Sequence, residues 1–321
     1  MRRAGIREIG RPFMIELNNV TKLYGKVIGV NDFTLTLQPG AYGLLGPNGS
    51  GKSTLLNLIT GQLRPTQGTI RVMGVCPRNN ASLFRRMGYC PGGEGFYSDV
   101  TAYEWVKYLQ QLQGMTTADA DAAAGRSLEL VGMSTAMHRP ISSYSRGMRQ
   151  RTKLAQALAH NPEILILDEP FSGLDPVGRH ELTTVLLDWI DLGKSLLFAS
   201  HVLHEIESLT QSFLLICGGR LLASGTAEDV HAMMVGLPNE IAFKCSDPYR
   251  LGELLLRERV VDSIRIADAT VTVATRDPAR IYSQLPGWLK ATGIDVSEMH
   301  SADESLQALF NSLMKMHRGE L

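Results

Sequence analysis

The sequence predicts an α/β protein, built on a mostly parallel sheet covered by helices and followed by a small α+β domain. Three observations predict it. Short, wholly apolar runs such as ILIL at 164–167 and the end of SFLLIC at 213–217 alternate with helical patterns, as expected of strands buried on both faces. A glycine-rich loop joins one such strand to a helix. The composition changes after Val235, where Gly236-Leu237-Pro238-Asn239 reads as a linker.

The elements follow in order. Residues 1–13 hold Arg2, Arg3, Arg7 and Arg11 without an apolar core, so no secretory leader is expected there. Met14 opens a strand pattern, which makes 1–13 a loose tail or Met14 the natural start. MIELNNV, DFTLTLQ and AYGLL read as strands, with a turn at Pro39-Gly40. A helix is expected over 51–60 and a strand, TIRVM, over 69–73. The stretch from about 88 to 160 reads as a helical subdomain, clearest in YEWVKYLQQLQ and RQRTKLAQALA, and Asn161-Pro162 stops it. ILIL, a helix over 176–191, SLLFAS, a helix from about 202 and SFLLIC complete a first domain at 14–235. Residues 240–321 read as strand, helix, strand, strand, helix, strand, helix, a small α+β domain of ferredoxin-like size.

Composition narrows the function. The chain has 321 residues, 44% hydrophobic and 20% charged, which is ordinary for a packed globular protein. Lys+Arg and Asp+Glu are both 32, so no basic excess points to nucleic acid. The four cysteines, Cys76, Cys90, Cys217 and Cys245, are scattered without a C-x-x-C pair and read as free thiols. No apolar run is long enough to cross a bilayer.

Gly46-Pro47-Asn48-Gly49-Ser50-Gly51-Lys52-Ser53-Thr54 fits the phosphate-loop pattern G-x-x-x-x-G-K-[ST] in its expected strand–loop–helix context. Glycines let backbone N–H groups crowd around phosphate oxygens, and the helix start adds unpaired N–H groups. Lys52 supplies a cation for the β/γ-phosphates, and the Ser53 hydroxyl can ligate Mg²⁺. The strand ILIL ends in Asp168-Glu169. Carboxylates at the carboxyl end of a central strand fall beside such a loop. Asp168 is placed to hold the Mg²⁺ shell and Glu169 to orient or deprotonate an attacking water. His204, three residues after His201, reads as a solvated helix face rather than a metal ligand, as do Arg149 and Lys153 rather than phosphate ligands.

This ordered set resembles the ATPase domain of ABC transporters over residues 14–235. Tyr144-Ser145-Arg146-Gly147-Met148 is similar to the family signature Leu-Ser-Gly-Gly-Gln, matching at Ser145 and Gly147 and departing at Arg146 and Met148. Phe171-Ser172-Gly173-Leu174-Asp175 looks like the D-loop, His201 like the switch histidine and Tyr24 like the aromatic that stacks on adenine. The resemblance implies a RecA-like core with an antiparallel β subdomain and a helical subdomain. It also implies ATP and Mg²⁺ as cofactors, and two ATPase subunits sandwiching ATP so that Ser145 and Gly147 face the partner's nucleotide and Asp175 couples the two sites. A separate integral membrane permease is the implied partner, approached from the cytoplasmic side, and the variant signature with the C-terminal domain favours export. Asp303-Glu304-Ser305-Leu306-Gln307-Ala308-Leu309-Phe310 resembles the closing segment of the small domain on stand-alone exporter ATPases.

One departure stands out. The family places Gln in the loop after MGYC, where this chain has Gly92. Compensation by Glu94 or a water, or looser coupling with slow or partner-dependent hydrolysis, is the expectation. Two rival readings are a soluble ABC ATPase acting on ribosomes or DNA, and a binding-only regulatory subunit. The single ATPase unit, without a coiled-coil insertion or basic surface, speaks against the first. Lys52, Asp168, Glu169 and His201 speak against the second.

Overall fold

The computed structural model describes residues 13–93, 95–96, 99–226, 229 and 239–301. The expected linker at 236–238, Glu94, most of the N-terminal tail and the segment 303–310 lie outside the described residues. The chain forms two compact units that divide between Gly225 and Thr226.

In the first unit, β1 (Ile15–Tyr24), β2 (Val27–Leu37) and β4 (Gln67–Val72) make an antiparallel sheet in the order β2-β1-β4. Ile15, Leu17 and Val20 of β1 point into the core. Tyr24 pairs with Val27 around a two-residue turn. Gly25 takes φ 61° at its first position, where hairpin turns favour glycine. Both strands therefore run further than MIELNNV and DFTLTLQ suggested.

The second sheet has the order β5-β6-β7-β3-β8-β9, with β3 (Ala41–Leu45), β5 (Met87–Cys90), β6 (Ile164–Asp168), β7 (Ser195–Ser200), β8 (Phe213–Cys217) and β9 (Arg220–Gly225). All pairs are parallel except β8 with β9. Every residue of β6, β7 and β8 is buried, which is why these segments are nearly unbroken apolar runs. α1 (Lys52–Ile59) follows β3 and buries Leu55, Leu56, Leu58 and Ile59. The chain then makes the single turn α2 (Ala81–Phe84) before entering β5.

The helical insertion comprises α3 (Ala102–Leu112), α4 (Thr117–Leu130) and α5 (Arg146–Leu158). Thr101 and Glu104 close a reciprocal cap on α3, an arrangement that contributes about 1 kcal/mol. Gly88 to Cys90, expected at the start of the helical region, belong instead to the main sheet, where they pair with β6. α5 lies on β5: a Cβ on Gly88 would meet the Ala157 carbonyl at 2.1 Å, so only glycine admits the helix there. α6 (Pro176–Asp191) and the short α7 (Leu203–Glu207) follow β6 and β7.

The second unit contains β10 (Asn239–Cys245), β11 (Ser263–Ala267), β12 (Thr270–Thr275) and β13 (Val296–Ser301), antiparallel in the order β11-β12-β10-β13. Helices α8 (Pro248–Arg257) and α9 (Pro278–Thr292) connect them. Its core holds Ile241, Phe243, Leu251, Leu255, Val271, Val273 and Ile281, all fully buried. The final helix expected after β13 lies outside the described residues.

Candidate active site

The loop between β3 and α1 is shaped by its glycines. Gly49 and Gly51 take φ of 79° and 106°, a region L-residues avoid. A Cβ on Gly51 would meet the Gly29 carbonyl at 2.3 Å, and one on Gly46 would meet the Ile216 carbonyl at 2.4 Å. The loop is stitched to two distant segments: Gly219 N donates to the Ser50 carbonyl at 2.8 Å, and Asn31 N donates to the Gly219 carbonyl at 2.8 Å. Pro47 accepts from Ser50 N at 3.1 Å, so 47–50 forms a tight turn with Asn48 and Gly49 at its tip. The Ser50 hydroxyl is buried without a hydrogen-bond partner among the described residues.

Lys52 begins α1 and is buried, with its Nζ donating to the Gly46 carbonyl at 2.7 Å and the Pro47 carbonyl at 3.3 Å. The same ammonium lies 3.4 Å from Glu169 Oε1. The other oxygen of Glu169 is 2.9 Å from His201 Nδ1. One carboxylate is thus held between the phosphate-loop lysine and a histidine at the end of β7. Glu169 adopts φ 50°, a left-handed conformation that costs a non-glycine residue of order 1–3 kcal/mol and clusters at functional sites. Its N–H still donates to the Ala199 carbonyl at 3.0 Å, which fixes the strained residue against β7.

Asp168, one residue earlier, is 4% exposed, and its Oδ1 has no hydrogen-bond partner among the described residues. Burial raises its pKa above the ordinary carboxylate value; a hydrogen bond from Ser53 opposes this, Glu169 adds to it, and Lys52 and Lys153 oppose it. A buried, unsatisfied carboxylate oxygen beside a serine hydroxyl is the donor set that a hard divalent cation takes. Ser53 and Asp168 therefore fit Mg²⁺.

Tyr24 sits at the end of β1, nearly half exposed, with Lys22 Nζ 5.3 Å from its ring centre. A Cβ on Gly29 would meet Tyr24 Cε2 at 2.8 Å and Thr54 Cγ2 at 3.0 Å. Gly29 thus lets the ring and the first turn of α1 approach one another.

Ser145, Gly147 and Asp175 form a second group. Ser145 caps α5, its Oγ accepting from Met148 N at 3.2 Å, and Asp175 caps α6, its Oδ1 accepting from Gly178 N at 2.8 Å. A Cβ on Gly147 would lie 3.1 Å from the Gly173 carbonyl, and Arg146 donates to Ser172 Oγ at 3.0 Å. The start of α5 is thereby packed on residues 172–174. Gln150 ties this group to the first, its Nε2 donating to the Pro170 carbonyl at 2.8 Å and the Glu169 carbonyl at 3.4 Å.

Lys153 corrects the sequence reading. It is 4% exposed rather than solvated, and its Nζ donates to the carbonyls of Pro91, Gly92 and Gly93. Arg149 is half-buried. Gln150 and Lys153 escaped the sequence reading because their carbonyl partners come from other loops. The described residues hold no cluster of three or more potential metal-ligating His, Cys, Asp or Glu side chains, so His204 gains no such set.

Residues 30–172 match the family described as ABC transporter. The chain is 30% identical over 305 residues to the bacitracin transport ATP-binding protein BcrA of Enterococcus faecalis, covering 94% of this chain and 96% of that protein. It is 32% identical to the Nod factor export ATP-binding protein I of Rhizobium etli, covering 86% and 87%. Among solved structures, an ATP-binding subunit of an ABC transporter superposes with TM-score 0.63 at 26% identity, over 69% of this chain and 93% of that one. A dimeric ATP-binding cassette in a post-hydrolysis state with ADP and Pi shares the fold at 22% identity, with TM-score 0.62 over 66% of this chain and 98% of that one.

Proposed function

The chain belongs to the ABC transporter ATP-binding family, and from that premise we propose that it powers export through a separate integral membrane permease, as one of two ATPase subunits at the cytoplasmic face. No helix among the described residues is long and apolar enough to cross a membrane, which suits a motor docked on another chain. One relative's name, in bacitracin transport, supports transport, and another's, in Nod factor export, supports its direction.

The observation that carries hydrolysis is Glu169 held between Lys52 and His201. In this reading the backbone N–H groups of Gly46–Thr54 cradle the phosphates of ATP. Lys52 exchanges its loop carbonyls for phosphate oxygens. Ser53 and Asp168 would hold Mg²⁺, which when bound would supply positive charge to offset that of the nucleotide's phosphates. Glu169 orients the attacking water and accepts its proton. His201 fixes the Glu169 carboxylate through Nδ1 and turns its other nitrogen to the γ-phosphate. Tyr24 stacks on adenine. Ser145 and Gly147 present the start of α5 to the nucleotide of a second ATPase subunit, and Asp175 stands at that same interface. Donors aimed at charge that develops in the transition state contribute on the order of 2.7–4 kcal/mol each.

The test uses Glu169→Gln, which removes the base and leaves the phosphate loop intact. Tagged variant recovered from membranes in mild detergent with Mg-ATP is expected to carry a polytopic membrane protein with it, and an ATP-bound pair of ATPase subunits is expected to accumulate. Recovery with ribosomal or nucleoid proteins, and no membrane chain, would overturn the transport reading in favour of a soluble ABC ATPase.

A further inference from the structure

Most of the buried charge in the first unit is accounted for by the nucleotide site, but Lys153 is not. Its ammonium is buried to 4% exposure and donates to three successive carbonyls, Pro91 at 2.9 Å, Gly93 at 3.3 Å and Gly92 at 3.4 Å. An ammonium has three N–H donors, so this single side chain spends its full donor capacity on one loop. A lysine almost never goes fully underground without such pairing.

The loop it holds is the one in which the family places Gln and this chain places Gly92. A Cβ on Gly92 would lie 3.0 Å from Asp168 Oδ2 and 3.2 Å from Asp168 Cγ. The backbone itself therefore closes on the Asp168 carboxylate, at a distance where a Cβ would make the carboxylate give way by a few tenths of an ångström. Lys153 comes from α5, three residues after Gln150 and so on the same helix face. Gln150 grips the carbonyls of Glu169 and Pro170. Two buried side chains on one helix thus fasten the end of β6, which carries the carboxylates, and the end of its neighbour β5. The same helix begins at Ser145.

We infer that Lys153 is a positioning residue that takes the place of the family's glutamine, holding the 91–93 backbone against Asp168 and locking the catalytic carboxylates to helix α5. The inference rests on the ATPase reading above and deepens it. Its consequence is that movement of the signature segment at the start of α5 is transmitted to Asp168 through the main chain of residues 91–93 rather than through a side chain at position 92. On this inference the loop is anchored from the other side, which works against the looser coupling expected of Gly92.

The test compares wild type with Lys153→Met, which keeps an unbranched chain one atom shorter and removes the donors. Three quantities are measured on the full chain: the equilibrium Kd for ATP, kcat as Mg²⁺ is titrated, and hydrogen exchange at the amides of Gly92 and Gly93. The expected result is a Kd within about threefold of wild type, kcat lower by roughly tenfold or more, a higher Mg²⁺ requirement, and faster exchange at both glycines. Should Lys153→Met not fold, Gly92→Ala gives a second route, since it keeps the ammonium and wedges the loop from Asp168; the same split between kcat and Kd is expected. Where both variants fold, the double variant is expected to be little worse than either alone, because both displace one loop. Either variant keeping wild-type kcat and Mg²⁺ requirement overturns the inference, including the case in which only melting temperature falls. A wild-type chain that neither binds nor hydrolyses ATP would instead overturn the ATPase reading on which the inference stands.

Discussion

Two loops at the carboxyl ends of the central sheet solve the same problem in different ways. Residues 46–51 and residues 91–93 are both glycine-rich, both follow a buried strand, and both are gathered around a buried lysine that donates to their carbonyls. In the first, Lys52 comes from the helix that the loop itself opens, gives hydrogen bonds to only two carbonyls, and leans on Glu169. In the second, Lys153 arrives from a helix that begins more than fifty residues later in the chain, and all its donors are taken. A cation that shares its donors between loop carbonyls and a side-chain carboxylate can change partners when an anion enters. A cation that is saturated by backbone serves as a rivet. The difference teaches that burial of a lysine beside a nucleotide site does not by itself identify a phosphate ligand; the kind of partner it holds, side-chain carboxylate or backbone alone, separates the two.

The strongest way to break this comparison is to remove each cation in turn. Lys52→Met is expected to lower kcat by on the order of a hundredfold or more and to weaken ATP binding as well, in contrast to the intact binding expected of Lys153→Met. Equal loss of ATP affinity in the two variants, read by fluorescent-nucleotide titration, would erase the distinction. A smaller effect tests the far end of the site: Tyr24→Ala is expected to raise the Kd for ATP about three- to tenfold, the range of one aromatic stacking contact, with kcat retained. A Kd unchanged within error would remove Tyr24 from the binding surface.

The smallest effect concerns stability. Burial raises the Asp168 pKa, so the folded chain holds that proton more tightly than the unfolded chain does. Protonation therefore favours the fold at low pH, and this contribution is lost as pH rises through the folded-state value. At neutral pH the ionised carboxylate works against the fold. Asp168→Asn is accordingly expected to melt slightly higher than wild type in metal-free buffer at pH 7.5, with the difference shrinking toward pH 4, while hydrolysis is lost. A lower melting temperature for Asp168→Asn at pH 7.5 would mean that ionised Asp168 contributes more through its cationic neighbours than burial costs.

Much of the arrangement was legible in the chain because its signals are local. The runs ILIL and SLLFAS read as buried strands since every residue in them faces a covered surface. The loop at 46–54 and the pair Asp168-Glu169 read as neighbours because strand ends in such sheets meet at one edge. What escaped was non-local. β9 is a half-exposed edge strand, so RLLASG lacks the apolar run that marks its neighbours. The burial of Lys153 could not be read from RQRTKLAQALA, since a polar residue on a helix is assigned to solvent unless its partner is known, and that partner is a loop sixty residues upstream. One signal was available and unused: Asp175-Pro176 opens a helix with an acceptor at the cap and proline in the first turn. The capping role of Asp175 toward Gly178 follows from that pattern alone.

The stitching of the phosphate loop by Gly219 has a consequence for how the protein is made. The Ser50 carbonyl and the Asn31 amide meet the same glycine, and β3, which presents the loop, lies between β7 and β8. Ribosomes deliver residues 41–54 long before Gly219, β7 or β8 exists. A nascent chain thus displays the most diagnostic stretch of its sequence well before that stretch has walls. Folding of the central sheet is bound to wait for distant partners, which is slow by nature. Nucleotide affinity should therefore appear abruptly, late in synthesis, once β8 and β9 have emerged, and ATP can assist only the last stage of the protein's own maturation.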